Sequence, residues 1–125
     1  MHNLIIGSTN IKNYVIEGTY KMDSVDKYES WEDGNFRQHR VIVTKKISGS
    51  FDVVCSNKTG DITLSDFYHI FSSTQNNGVV LASVYVTNTG LQRTINAYFK
   101  LTNKKHTLLA DGTFLDEITV SLEER

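Results

Sequence analysis

Apolar residues recur at every second position along much of this chain, between short clusters of Gly, Asn, Asp and Ser. A period of two sends alternate side chains to opposite faces of a strand, and the clusters supply turns. Ile11 to Met22 carries Tyr14, Ile16, Tyr20 and Met22 at even spacing, with Gly18 as a bulge or a point of close approach. Lys27 to Trp31 predicts a second strand, and Asp33-Gly34 a hairpin turn after it. Phe36 to Val43 is the return strand: Phe36, Gln38, Arg40 and Ile42 share one face, Arg37, His39, Val41 and Val43 the other. Neither face is cleanly apolar near the turn, so the tip is expected to project into solvent or against a partner. Ile47, Gly49, Phe51 and Val53 make a further strand, and residues 56–60 a loop.

The period then changes. Leu64, Phe67, Ile70 and Phe71 recur at three- and four-residue spacing, with Thr63 placed to cap the first turn and Asp66 three residues on. So short a helix is marginal in water, which predicts docking of its apolar face on a sheet. Residues 75–78 end it, with Gly78 or an Asn available for a left-handed cap. Val79 to Val86 reads as a central strand covered on both sides, returned by residues 87–90 to Leu91–Leu101. His106–Leu109 and Phe114–Leu122 form a last pair around Ala110-Asp111-Gly112-Thr113. The predicted fold is mainly β, an antiparallel β-sandwich or closed barrel of about eight strands with one α-helix docked at about residues 64–73.

Composition narrows the class. A chain of 125 residues is expected to be a single domain, residues 1–125, with an ordinary core. Hydrophobic content of 39% and charged content of 22% place it among globular chains rather than disordered ones. Its net charge of −1 gives no basic footprint for nucleic acid, so no sequence-specific nucleic-acid binding is expected. The absence of proline suits a chain committed to sheet ladders. Leu4 to Ile6 is too short an apolar stretch for a signal-peptide core or a membrane span, so a soluble protein with no membrane partner is expected. Cys55 stands alone and ends the apolar run Val53-Val54, where a buried thiol acting as a small hydrophobe is the simplest reading.

Candidate chemistry is sparse. His2, His39, His69 and His106 are scattered without metal-ligand spacing, and no nucleophile elbow or phosphate-binding loop occurs. Asp116 and Glu117 fall on opposite faces of one strand. No catalytic residue, metal or organic cofactor is therefore expected, and the chain is not expected to be an enzyme. What stands out is the hairpin from Lys27 to Val43. Asp23, Asp26, Glu29, Glu32 and Asp33 lead into it and Arg37, Arg40, Lys45 and Lys46 follow, so opposite charges can face each other across the strands. Trp31, Phe36, Arg37 and Arg40 are the candidate interface residues of a homo-oligomer, with an aromatic as the desolvated anchor. Two other classes remain open. Tyr28, Trp31 and Phe36 could form an aromatic platform of a free-standing module for carbohydrate or peptide, whereas a small enzyme would need polar groups converging in a pocket.

The order of these features resembles the small β-rich proteins of long-tailed bacteriophages and their prophages, and more broadly the tail-tube fold. The resemblance rests on Tyr14 and Tyr20 in an early strand, the turn Asp33-Gly34-Asn35-Phe36-Arg37, and the strand end Ile47-Ser48-Gly49-Ser50-Phe51. The helix Leu64-Ser65-Asp66-Phe67-Tyr68 and the acidic C-terminal strand Leu122-Glu123-Glu124-Arg125 complete it. It covers nearly the whole chain and implies a structural, self-assembling component of a tail: tail tube, distal tail, or completion or adaptor protein. It further implies rings or stacked rings, other tail proteins as partners, synthesis in the bacterial host cytoplasm and a final place in the virion tail. No catalytic or ligand residue carries over, because such proteins act through assembly.

Overall fold

The computed structural model describes residues 2–32 and 38–125, and of residues 27–32 and 38–44 the backbone alone. The elements run β1 (Ile5–Ile6), β2 (Thr9–Asn10), a 3-10 turn (Lys12–Tyr14), β3 (Lys21–Glu32), β4 (Gln38–Ser56), α1 (Leu64–Thr74), β5 (Val79–Val86), β6 (Leu91–Leu108) and β7 (Phe114–Glu124). The strands form one antiparallel sheet of seven in the order β2-β1-β5-β6-β7-β4-β3. The mainly β class with a single described helix agrees with the sequence. Two separate sheets or a closed barrel do not form, because the ladder is open between β2 and β3.

Several expected strands prove to be parts of longer ones. Residues 21–26, charged and polar apart from Met22 and Val25, join Lys27–Trp31 in β3. The two strands read between residues 36 and 53 are one β4, and β6 runs through 102–105, absorbing the polar stretch as a register shift between Asn103 and Lys105. Residues 11–20 form a 3-10 turn and a loop instead of a strand, tied on by the Val15↔Val53 bridge.

Two strands change partner along their length, and this folds the sheet on itself. β6 pairs with β5 over Leu91–Tyr98 and with β7 over Ala97–Leu108. β4 pairs with β3 over Gln38–Ser50 and with β7 over Ser48–Ser56. The ladders overlap so little that strand twist accumulates into a deep curl. Gly49 marks the tightest point: a Cβ there would lie 2.0 Å from the Lys21 carbonyl oxygen and 2.7 Å from the Met22 Cα. Only a residue without a side chain lets β3 cross so close. The curl carries Met22 to the end of β5, where the Thr87 N–H donates to the Met22 carbonyl at 2.6 Å.

The concave face holds the core. Val80, Ala82, Val84 and Val86 of β5, Phe51, Val53 and Cys55 of β4, and Ile118, Val120 and Leu122 of β7 are buried in one cluster with Leu4, Ile6 and Ile11. α1 lies over this face. Thr63 caps it as expected, its Oγ1 accepting from the Asp66 N–H at 3.2 Å. Phe67 and Phe71 are fully buried, and Ile70 packs partly buried beside them. Asn77 and Gly78 do adopt positive φ (54° and 81°), but as the turn of a tight hairpin between Asn76 and Val79 rather than as a helix cap. β5 alternates buried and exposed, with Leu81 half-exposed, so it is covered on one face where two were expected.

Candidate interaction surface

Beyond Ser48, β7 no longer runs beside β4, and β3 and β4 continue as a two-stranded ribbon from Ser24↔Ile47 to Glu32↔Gln38. Val43 is the extra residue of a bulge, since Lys27 faces Thr44 while Tyr28 faces Ile42. The base of the ribbon is gripped on both sides. On the β3 side the Asn88 carboxamide takes the place of a neighbouring strand for one residue, accepting from the Ser24 N–H and donating to the Ser24 carbonyl, both at 2.9 Å. The Thr87 hydroxyl, with one proton to donate, lies within reach of both the Met22 carbonyl and Asp23 Oδ1, at 2.8 and 2.7 Å. On the β4 side Glu124 Oε1 accepts from the Ile47 N–H at 2.9 Å, one residue past the end of the β7 ladder.

Two shallow polar clefts flank this base. One, of about 480 Å3, is lined by Asp23, Ser24, Val25, Lys45 and Asn88, and the other, of about 230 Å3, by Ser24, Lys45, Arg93 and Glu124. Of the expected cross-strand charge pairs, Asp26 and Lys45 do face each other, 3.8 Å apart. Exposed pairs of this kind contribute little to stability, so orientation is what they can offer. Among the four predicted interface residues, Trp31 and Arg40 occupy adjacent rungs of the ribbon, paired with His39 and Ser30. Phe36 and Arg37, with the hairpin turn predicted at Asp33-Gly34, lie outside the described residues.

A second place of interest is a cleft of about 460 Å3 between the 12–20 segment and the end of β5, walled by Val15, Ile16, Tyr20 and Tyr85 with Lys12 and Glu17 among its lining. His2 stacks on Tyr85 with ring centroids 4.1 Å apart. The Tyr20 hydroxyl donates to the Tyr85 carbonyl at 2.7 Å, and burial pushes its pKa up to about 12.

A third is a row that sequence reading missed. The register sets Cys55, Asp116 and His106 side by side on β4, β7 and β6. His106 Nδ1 lies 2.5 Å from Asp116 Oδ1, and the ring stacks on Phe114 at 5.4 Å. Counting back from the Asp111-Gly112 turn would have found the pair, since a hairpin's register follows from its turn. The row does not form a nucleophile. Burial, and then the negative charge of Asp116, push the Cys55 thiol up to about 12, so it stays protonated at neutral pH.

Native Cys55 should therefore resist thiol reagents that label it promptly in denaturant. The linkage is alkaline. Cys55 is raised from 9.0 to about 12 and Tyr20 from 10.0 to about 12, so both hold protons that the unfolded chain releases first. Their contribution is fully present below pH 9 and fades as pH rises toward 12. Urea titrations of the wild type and Cys55→Ala across that window should show the variant losing less stability; parallel losses would contradict the assignment.

No family model, curated protein or solved structure matches this chain. What it can do follows from its own residues. Among the described residues no group of three His, Cys, Asp or Glu is placed to hold a metal, and no helix is long and apolar enough to cross a membrane.

Proposed function

We propose that this chain is a structural subunit that works by self-association through the β3–β4 ribbon. The carrying observation is the ribbon itself: two strands that leave the sheet together, clamped at the base by Asn88, Thr87 and Glu124. A ribbon held in this way presents strand edge and charge to a neighbour at a defined angle. The small tail proteins that the sequence resembles act in the same way, and the proposal extends to that setting. The subunit would belong to a tail tube, a distal tail, or a completion or adaptor complex, made in the host cytoplasm and carried in the virion beside other tail proteins. It acts without catalysis and without a cofactor.

Trp31→Ala, and separately Arg37→Glu with Arg40→Glu, should abolish association measured by light scattering while leaving the thermal midpoint within a few degrees. Variants that assemble normally would remove the ribbon from the interface.

The cleft against Tyr85 favours a second reading, a binding module for carbohydrate or peptide, because apolar walls there meet a few polar groups. Under that reading Tyr85→Ala would abolish saturable binding in a glycan and peptide array, with the monomer unaffected.

A further inference from the structure

β3 is an edge strand of the sheet, whereas the opposite edge, β2, is only 2 residues long. Short edge strands are a common guard against sheet-to-sheet pairing, and β3 lacks that guard beyond Ser24. Head-to-tail extension of the sheet would need two usable edges, and among the described residues β3 is the only long one. An edge that pairs with its own copy needs only itself.

Resting on the self-association reading above, we propose that β3 pairs antiparallel with β3 of a second copy about a two-fold axis at Tyr28, with Lys27 opposite Glu29 of the other copy. Symmetry, ladder length and charge together select the register. A two-fold joining two antiparallel edges stands normal to the sheet, so paired residues must lie on the same face and the axis must pass through a residue. The backbone groups of Met22 and Ser24 point away from β4, toward Thr87 and Asn88. By alternation the outward residues further along are Asp26, Tyr28, Ser30 and Glu32.

The remaining choice is decided by charge and ladder length. An axis at Val25 is blocked, because Ser24 and Met22 are already bonded to the β5–β6 turn. An axis at Asp26 sets Asp26 against its copy and Asp23 against Glu29. One at Lys27 sets two ammonium groups together, and one at Glu29 opposes Glu29 to itself and Asp26 to Glu32. One at Ser30 opposes no like charges but keeps only residues 28–32 paired within β3, a shorter ladder than an axis at Tyr28 allows. Like charges directly opposite are destabilising. At Tyr28 the rungs become Tyr28↔Tyr28, Lys27↔Glu29 twice, Asp26↔Ser30 and Val25↔Trp31. Every charged rung there is either complementary or meets a neutral residue. Val25, 41% exposed in the single chain, gains an apolar partner. The pairing leaves the contact between Asp26 and Lys45 within each ribbon intact.

The test is a charge swap. Within one chain Lys27 faces Thr44 and Glu29 faces Val41, so neither change breaks an opposite-charge rung inside the ribbon. Lys27→Glu and Glu29→Lys are each expected to weaken dimer formation at least tenfold in sedimentation velocity, and the double variant to restore it. Circular dichroism and the thermal midpoint check that each variant folds. Association of wild type and both single variants alike would overturn this register and leave self-association standing. A wild type that stays monomeric at all concentrations would overturn both.

Discussion

Replacing Gly49 with Ala should lower stability by about 3 kcal/mol or more, at the upper end of what overpacking costs. The added Cβ would sit 2.0 Å from the Lys21 carbonyl oxygen. That neighbour is backbone, so no rotamer change relieves the contact. β3 has to move away from β4, and with it go the contacts that close the curl: the Thr87 N–H to the Met22 carbonyl and the Asn88 clasp on Ser24. Urea unfolding measures the loss, and hydrogen exchange at Thr87 should rise in step with it. A neutral substitution would mean that β3 does not cross over Gly49 as closely as the ladder requires.

Phe67→Ala should cost about 3–5 kcal/mol, the range for deleting a buried aromatic ring. Phe67 is fully buried, its ring meets Phe71 edge-on at 5.5 Å, and Phe71 in turn meets Phe99 of β6 at 5.1 Å. One deletion therefore loosens the aromatic packing between α1 and the sheet. Tyr68, one position along and 37% exposed, is the control: Tyr68→Ala should cost no more than about 1 kcal/mol. The denaturant midpoint should fall for Phe67→Ala with the slope unchanged, and a loss as small as that of the control would mean that the helix is not docked on this ring.

The helix was legible because its signals are local. A cap residue at Thr63 and apolar side chains three and four apart leave one reading, and Leu64–Thr74 matches it within a residue. The turn at Asp111-Gly112 was legible for the same reason. Strand limits were not, because ladder bonds hold β3 through Asp23 and Ser24, and β6 through Asn103 and Lys105, where no apolar period exists. β5 misled in the other direction: Val79-Val80-Leu81 imitates a strand buried on both faces, yet Leu81 looks outward. The open curl, which decided against sandwich and barrel, depends on one glycine and on partner changes within β4 and β6. Neither leaves a periodic trace. Of the interface residues chosen by charge and aromaticity, Trp31 and Arg40 fall on the ribbon, while Phe36 and Arg37 lie outside the described residues.

The role proposed for the ribbon is to join subunits. Sedimentation velocity of the full chain from low micromolar to millimolar concentration tests it most directly. The sedimentation coefficient should climb with concentration and fall back when Lys27→Glu is introduced. A single monomeric boundary at every concentration would contradict it.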